Sequence, residues 1–331
     1  MKPTINDVAK KAGVSIATVS RIVNGLSGYT EETRKTVLNV IKEIGYRPNA
    51  IARGLVNKQT NTVGVLLPNI SSRLTSALLN GVENTAHRLG YSVIICNTDS
   101  NGKRTIEYLN VLGEKQVDGI IIASEWLEDA YGEALLAMKI PVVLVLTVSY
   151  HFQIPYVKID DKQAAYQATK YLIEKGHKEI GMISGPDNDK IAGLPRIEGY
   201  KQALADYNLT ISENHIAYGD FAYKSGIRCM DELFQKSPKI TAVFAASDEM
   251  ALGVLSFAYK KGIKIPDDLS IIGYDDTQDA KMSIPPLTTV HQPLYEMGGK
   301  AVEMLFSTKE AVESIIMPYN IVERDSVKRI N

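Results

Sequence analysis

The sequence predicts an α/β protein in which a small helical domain precedes two lobes, each built on a doubly wound parallel β-sheet. Charge is the first observation: residues 1–60 carry a net charge of +6, and the remaining 271 carry −7. The second is a change of pattern near residue 63, from short helical periodicity to apolar runs that alternate with helical stretches. The length of 331 residues fits two or three such domains. Residues 1–60, called the head below, are basic, whereas the remaining residues, called the body, are acidic. This asymmetry predicts that the head binds a polyanion.

The head is predicted to contain three helices. Thr4 and Asp7 form a Thr-x-x-Asp capping pattern, and Gly13 is placed to end that first helix. Ser15 is placed to cap a second helix directly after the short glycine turn. Two short helices joined in this way predict a helix-turn-helix. A third helix is predicted from about 31 to 44, capped by a threonine and stopped by a glycine.

The body alternates strand-like and helix-like segments. Apolar runs begin at 63, 91, 118, 141, 156, 179, 241 and 270, and helical stretches are predicted over 75–89, 104–114, 162–175, 196–207, 225–235 and 248–261. Continuous apolar strands between helices predict βαβ units and buried parallel sheets. Eight strands exceed one small sheet, so we expect two sheets that divide near Asp160. The alternative is one large sheet or a barrel.

The outward face of the second helix is typical of a DNA reader. Arg21 can pair bidentately with guanine, and the outward residues Ile16, Ala17 and Ser20 can reach base edges in the major groove. The short polar residues suited to phosphate contacts are Ser15, Thr18, Ser20 and Asn24. The competing interpretation is the ordinary polar surface of a three-helix bundle.

The segment 46–57 is predicted to be a conditional helix. It is short and contains Gly54, so it is marginal alone and would fold only against a partner surface. Leu55 is an apolar residue close to Arg53, which suits insertion of a wedge into a minor groove. The alternative is an interdomain linker whose leucine packs on a lobe.

Several function classes are disfavoured by composition and motifs. No apolar leader or run of about 18 apolar residues is present, so we expect a cytoplasmic protein with no membrane contact. Two cysteines and five histidines show no metal-ligand spacing. No GxSxG, HExxH, GxxxxGK or GxGxxG motif occurs, so we expect no catalytic residues, no metal and no cofactor.

Five motifs together resemble the LacI/GalR family of bacterial transcription regulators, in particular its branch of catabolite-control and sugar-operon regulators. They are DVAKKAGVSIATVSRIVNG (7–25), GYRPNAIARGL (45–55), KQVDGIII (115–122), SDEMALG (247–253) and IPDDLSIIGYDDTQDAKMSIPPLTTVHQP (265–293). The resemblance covers nearly the whole chain. It implies a DNA-binding domain over 1–46, a hinge over 47–60 and a periplasmic-binding-protein-like region over 61–331. Within that region it implies a first lobe of about 61–160 plus 294–320 and a second of about 161–293 plus 321–331.

The resemblance also implies how such a protein works. It implies a homodimer on a pseudo-palindromic operator, with paired hinge helices inserting Leu55 at the centre. The residues expected to contact DNA are Thr4, Ser15, Ile16, Ala17, Thr18, Ser20, Arg21, Asn24, Tyr46, Asn49, Ala52, Arg53 and Leu55. A sugar or sugar phosphate between the lobes would control DNA binding through the order of the hinge.

Polar residues at strand ends predict the ligand site, because parallel sheets bind ligands at the carboxyl ends of their strands. The expected ligand contacts are Asn69, Arg73, Ser124, Trp126, Asp160, Arg196, Ser247 and Asp275, of which Arg196, Ser247 and Asp275 follow from family position. Trp126 could stack on a sugar or cover a surface helix. Arg73 could hold a phosphate or lie as a solvated charge. Asp248 is expected to cap the helix that follows it.

One departure from the resemblance concerns a protein partner. Catabolite-control relatives recruit a phosphorylated carrier protein through arginines near the helix that corresponds to 296–304. Here that stretch is EMGGKAVEM, with Lys300 as its only cation. We therefore expect an operon repressor that answers to a sugar, with a global catabolite regulator as the alternative.

Overall fold

The computed structural model describes residues 3–46, 59–99, 104–124, 126–308 and 312–330. Contacts between residues divide the chain into two units, residues 1–62 with 115–118 and the remainder, and each is described by itself. Within the described residues, no helix is both long and apolar enough to cross a membrane.

The head contains three helices: α1 (Ile5–Ala12), α2 (Ile16–Val23) and α3 (Glu31–Ile44). Each begins at the predicted cap, since Thr4, Ser15 and Thr30 accept a hydrogen bond from a backbone amide three residues on. The residues of its core are Val8, Ala9, Val19, Ile22, Val37 and Val40. The helix-turn-helix prediction is confirmed. The predicted hinge helix, with Asn49, Ala52, Arg53 and Leu55, lies outside the described residues and stays a prediction.

The first lobe is built on a six-stranded sheet. Its strands are β1 (Thr62–Leu67), β2 (Ser92–Asn97), β3 (Gly119–Ala123), β4 (Val142–Val145), β5 (Tyr156–Lys158) and β11 (Ile315–Ile316), in the order β11-β5-β4-β3-β1-β2. The pairs from β1 through β3, β4 and β5 to β11 are parallel. The helices of this lobe are α4 (Arg73–Arg88), α5 (Thr105–Glu114), α6 (Asp129–Met138) and α12 (Leu294–Leu305).

A second six-stranded sheet forms the other lobe. Its strands are β6 (Ile180–Ser184), β7 (Ile216–Tyr218), β8 (Ala242–Ala245), β9 (Ser270–Asp275), β10 (Thr288–His291) and β12 (Asn320–Val322), in the order β12-β10-β9-β8-β6-β7. Its α-helices are α7 (Asp161–Glu174), α8 (Gly193–Asp206), α9 (Tyr223–Lys236), α10 (Asp248–Lys261) and α11 (Gln278–Met282). The edge strand β12 runs antiparallel to β10, and the other recorded pairs are parallel. Two sheets are therefore confirmed, and the single-sheet alternative is wrong.

The described chain passes between the sheets three times, from β5 to α7, from β10 to α12 and from β11 to β12. Helix α12 returns to the first lobe, where it packs closely on α4. A Cβ atom on Gly81 would lie 1.9 Å from the carbonyl oxygen of Tyr295. A Cβ on Gly298 would lie 2.2 Å from the carbonyl oxygen of Leu78. Only glycine allows this approach, so the late segment is tightly held against the early one.

Candidate functional sites

The outward face of α2 carries the side chains expected to read DNA. Ile16 is 50% exposed, and Ala17 and Arg21 are also exposed, whereas Val19 and Ile22 are buried in the core of the head. This arrangement leaves a guanidinium and small apolar groups available to base edges. It is the geometry that a recognition helix requires.

Some of the short polar residues of the head also hold its own structure. The Thr4 hydroxyl donates to Asp7 Oδ2 at 2.8 Å and accepts from the Asp7 amide. Ser15 Oγ accepts from the Thr18 amide at 3.1 Å. The Asn24 side chain donates to Ser20 Oγ at 3.3 Å. A hydroxyl that caps a helix already accepts one hydrogen bond. If it also contacted a DNA phosphate, the same oxygen would serve both the cap and the phosphate.

Three half-buried residues among the predicted DNA contacts of the head are less informative. Ser20 and Asn24 are both half-buried, at the end of α2. Tyr46 is half-buried and packs against the apolar core of the head, and its amide donates to the Ile41 carbonyl at 3.0 Å. Its position directly before the linker fits either a packing role or a contact with DNA.

A cavity of about 780 Å³ lies between the two lobes. Six of the eight residues predicted to bind a ligand line it, namely Asn69, Ser124 and Trp126 from the first lobe and Arg196, Ser247 and Asp275 from the second. Asn69, Ser124, Ser247 and Asp275 lie at or just after strand ends, whereas Arg196 lies in the helix α8 and was expected from family position. Arg73 and Asp160 do not line it.

Arg196 forms the floor of the cavity on the second lobe. Its Nε and one terminal nitrogen donate to Asp161 Oδ1 at 3.0 and 2.8 Å, and the other terminal nitrogen donates to the Ala246 carbonyl at 2.6 Å. The guanidinium carbon lies 3.7 Å from the centre of the Tyr274 ring. Hydrogen bonds on the edge and a ring on the face fix the orientation of this side chain.

Asp161 is the counter-ion of this buried arginine. Lys158 Nζ lies 3.1 Å from Asp161 Oδ2, and the Tyr274 hydroxyl donates to Oδ1 at 3.1 Å. A buried carboxylate is tolerated only when charges and donors satisfy it, and here both of its oxygens are used. The pair therefore serves as a rigid base for the cavity.

Asp275 and Gln292 supply oxygen atoms to the cavity. Gln292 Nε2 donates to Asp275 Oδ1 at 2.8 Å, and both residues are almost fully buried. Burial raises the pKa of the Asp275 carboxyl well above its usual range, although Arg196 opposes this shift. Among the described residues, Gln292 Oε1 has no hydrogen-bond donor. A buried acceptor without a donor is costly, so this oxygen is available to a ligand hydroxyl.

Asp248 does not cap α10, and that expectation was wrong. Ser247 is the cap, since its Oγ accepts from the Met250 amide at 3.1 Å while its hydroxyl donates to the Phe221 carbonyl at 2.9 Å. Asp248 turns inward because the Thr277 amide and the Thr289 hydroxyl donate to it at 2.7 and 2.6 Å. Burial raises the pKa of Asp248 to about 7, despite these hydrogen bonds.

Trp126 lies at a constriction on the first-lobe side. Its ring is 5.9 Å from that of Tyr150, and Lys190 Nζ from the second lobe lies 5.1 Å from its centroid. A second cavity of about 740 Å³ also includes Trp126, Glu128 and Lys190 in its lining. Trp126 is half-buried and faces space on two sides, which fits stacking on a sugar.

The two predicted residues outside the cavity have other partners. Arg73 begins α4, and its Nε donates to Asp279 Oδ2 at 2.8 Å, which joins the two lobes at the rim. Asp160 Oδ1 accepts from the Gln163 amide at 3.0 Å and caps α7. One acts as an exposed ion pair and the other as a helix cap.

Sequence reasoning missed several cavity residues, in particular Asp161, Asp189 and Gln292. Asp161 directly follows Asp160, and only the direction of the side chain separates cap from cavity. Gln292 follows β10, a strand that the apolar pattern did not predict. Asp189 accepts three backbone amides of its own loop, those of Ile191, Ala192 and Gly193, which sequence spacing does not reveal.

Comparison with known families agrees with both units. A family described as bacterial regulatory proteins, lacI family, matches residues 4–49. A family described as periplasmic binding proteins and sugar binding domain of LacI family matches residues 60–325. The second match alone covers most of the chain.

Individual relatives align over nearly the full length. Catabolite control protein A of Priestia megaterium is 43% identical over 99% of this chain and 100% of its own. The structure of the lac repressor dimer bound to operator and the anti-inducer ONPF is 27% identical and covers 99% of this chain and 100% of its own, with a TM-score of 0.90. The complex of the transcriptional regulator CelR with cellobiose is 31% identical and covers 98% and 99%, with a TM-score of 0.75.

Proposed function

Because the chain belongs to the LacI family of bacterial regulatory proteins, we propose that it represses carbohydrate-utilisation genes under the control of a sugar. The chain is a DNA-binding transcription regulator with a sugar-binding effector domain, and it is not an enzyme. The finer proposal is that it binds a pseudo-palindromic operator as a homodimer. A sugar or sugar phosphate in the cavity between the lobes would then release the DNA.

The cavity floor is the observation that carries this proposal. Arg196 is held rigidly by Asp161, while Asp275 and Gln292 present oxygen atoms toward the same space. A fixed guanidinium beside carboxylate and amide oxygens can donate to and accept from neighbouring hydroxyls. Such a pattern suits vicinal hydroxyl groups, which is the chemistry of a sugar.

Coupling to DNA follows from the lobe arrangement. The cavity draws residues from both lobes, so a ligand that fits one lobe arrangement better shifts the population toward it. In the proposed mechanism that arrangement changes the order of the hinge at 47–60, and hence the affinity for the operator. The coupling free energy in such systems is typically about 1–3 kcal/mol.

The test is operator binding by fluorescence anisotropy at one stated salt concentration, with a panel of sugars and sugar phosphates. The DNA would be a fragment from upstream of the genes beside the protein's own. Release by one compound supports repression with induction. Tighter binding with one compound supports co-repression instead. A protein that binds no such fragment under any condition would contradict the proposal.

Arg21→Ala examines the role of α2 in the same assay. Loss of a bidentate contact with a base should cost about 1–3 kcal/mol of discrimination between operator and random DNA. Lys10→Ala is a matched control, because it also removes one exposed positive charge from the head. The control should weaken both kinds of binding alike. Equal discrimination by wild type and Arg21→Ala would refute base reading by Arg21.

A global catabolite regulator with a phosphorylated carrier protein as co-repressor is the second candidate, favoured by the 43% identity to catabolite control protein A. Lys300 and Glu303 both lie on α12, and Lys300 Nζ is 3.1 Å from Glu303 Oε2. Arg88, at the end of α4, lies 3.2 Å from Glu303 Oε1. Glu303 thus partly neutralises both cations. Adding a phosphorylated carrier protein to the anisotropy assay separates the two candidates, since only the global regulator would bind DNA more tightly.

A further inference from the structure

The charge of the cavity lining is strongly unbalanced. Among the described residues, seven acidic side chains line the cavity, and they are Asp99, Glu128, Asp161, Asp189, Asp220, Glu249 and Asp275. Burial raises the pKa of two of them, Glu249 and Asp275. Two described cations, Lys190 and Arg196, share that lining. Each lobe contributes carboxylates, so the imbalance surrounds a ligand rather than lying on one wall.

Two of the three described cations in the lining or at the rim of the cavity are paired with carboxylates. Arg196 already faces Asp161 with two nitrogens and the Ala246 carbonyl with a third. Lys190 is exposed at the constriction, with its ammonium group over the face of Trp126. Arg73, the cation nearest the rim on α4, lies outside the lining and pairs with Asp279. Of these described cations, Lys190 alone has no recorded ion pair, and it stands among seven acidic side chains.

Several of the acidic side chains are fixed by hydrogen bonds or an ion pair. Asp189 accepts three backbone amides of its own loop. Asp220 Oδ1 accepts the Ala222 amide at 3.0 Å, and Asp99 lies 3.3 Å from Arg104. Each of these three side chains is therefore held in place by at least one donor or cation. A second negative charge brought among them is repelled.

The buried polar groups of the floor also favour an uncharged ligand. Gln292 is 2% exposed, and its Oε1 faces no donor among the described residues. The adjacent Asp275 receives one recorded side-chain hydrogen bond, from that glutamine. Gln292 Oε1 can only accept, so a ligand satisfies it only by donating a hydrogen bond. A hydroxyl donates, whereas an ionised phosphate only accepts.

We infer that the cavity takes an uncharged, polyhydroxylated sugar and excludes its phosphorylated forms. This inference rests on the proposed function, because it names the class of sugar for the same site. Arg196, Asp275 and Gln292 would hold neighbouring hydroxyls, and the carboxylates around them would reject a phosphate. The protein thereby responds to a sugar before phosphorylation.

The single tryptophan provides the assay. Trp126 is the only tryptophan in the sequence, and it lines the cavity, so its fluorescence reports occupation of this site. Full-length protein would be titrated with matched pairs, each a sugar and its phosphate ester. For the pair whose sugar binds, the phosphate ester should bind at least about tenfold more weakly. A phosphate ester that binds as tightly as its parent, or more tightly, would overturn the inference and leave sugar control of DNA binding intact.

A pair of neutralising substitutions adds a second readout. Glu128→Gln with Asp220→Asn removes two lining charges, one from each lobe, so the ratio between the two affinities should fall several-fold. Glu133→Gln is the matched control, because Glu133 is exposed on α6 and lines neither cavity. The control should keep the wild-type ratio. An unchanged ratio in the double variant overturns the electrostatic argument. A panel in which no sugar of either kind binds overturns the inference and sugar control together, while operator binding is measured separately.

Discussion

The two lobes contribute to the cavity in different ways. The second lobe supplies a buried floor in which Arg196, Asp161, Asp275 and Gln292 are fixed by charge and hydrogen bonds. The wall on the first lobe is less uniformly buried, since Asn69 is exposed and Ser124 half-buried, although Thr75 is buried there too. A pre-organised surface binds with less loss of conformational freedom than a mobile one. We therefore expect the buried floor of the second lobe to determine which chemical groups of a ligand are bound, and the first-lobe wall to accommodate the shape of the ligand.

Removing the buried cation should have the largest effect. Arg196→Ala leaves Asp161 buried without its main counter-ion, which should lower the free energy of unfolding by about 3–5 kcal/mol. In the first lobe, Arg88→Ala breaks an ion pair with Glu303 that is largely exposed, and should cost about 1 kcal/mol or less. Chemical denaturation of both variants measures the contrast. Similar losses for the two would contradict a specially fixed floor.

The next effect concerns ligand affinity. Asp275→Asn keeps the shape of the side chain, and asparagine tolerates the positive φ of 115° at this position. Replacing one carboxyl oxygen of this buried group with an NH₂ group leaves a mismatched polar contact, which should weaken sugar binding by about 1–3 kcal/mol. Ser124→Ala in the first-lobe wall removes a neutral hydroxyl and should cost about 0.5–1.5 kcal/mol. Trp126 fluorescence titration measures both, and a larger loss for Ser124→Ala would reverse the assigned roles of the lobes.

The pH dependence of stability should also differ between the lobes. Burial raises the pKa of Asp248 to about 7 in the folded protein, so ionisation at this site favours unfolding as pH rises from about 4 to 7. Between pH 5 and 7.5 the contribution is on the order of 2 kcal/mol. Asp248→Asn should remove this part of the pH dependence in thermal unfolding. The amide retains an oxygen for the Thr277 amide.

Glu303 in the first lobe provides the matched control. Its hydrogen bond with Lys300 lowers the pKa of this carboxyl below 4.5, so its contribution is complete above that value and is lost only at lower pH. Glu303→Gln should therefore leave the slope between pH 5 and 7.5 unchanged. The assignment to Asp248 would be contradicted if the dependence of stability on pH between 5 and 7.5 changed in Glu303→Gln but persisted in Asp248→Asn.

The smallest effect is expected at the rim, where the two lobes meet through Arg73 and Asp279. The Arg73 side chain is 61% exposed and that of Asp279 is 32% exposed, so the coupling free energy between them should be below about 1 kcal/mol. A double-mutant cycle with Arg73→Ala and Asp279→Ala measures this coupling, and added salt should reduce it further. A coupling free energy well above about 1 kcal/mol that is insensitive to salt would show that the Arg73–Asp279 pair behaves like the buried ion pair of the floor.

Local signals explain which parts of the fold could be predicted. The helices of the head begin and end where their capping residues stand, because capping depends on a few neighbouring residues. The long apolar strands were also evident from their pattern. The pattern missed α6, α11, α12 and the strands β7, β10, β11 and β12, although the family resemblance implied a helix near 296–304. These strands have two to four residues each, too few for a period to be visible.

The cavity was predictable to the extent that strand ends converge. Ser124 and Asp275 followed from that rule, and both line the cavity. Asp160 and Asp161 show its limit, because one caps α7 and the next enters the buried floor. Neighbouring residues of a helix point in directions about 100° apart, and only the surrounding packing determines which one is buried. Long-range contacts of this kind are absent from local sequence patterns.

The return of the chain to its first lobe has a consequence during synthesis. Strand β5 ends at residue 158, but α12 and β11 of the same lobe are not complete until residue 316. At about 5–20 residues per second, roughly 10–30 s separate these points on the ribosome. The central strands of the second lobe, through residue 291, emerge within that interval. The first lobe therefore stays incomplete until residue 316, so α4 lacks its partner helix during the synthesis of most of the second lobe, of whose described strands only β12 is made later.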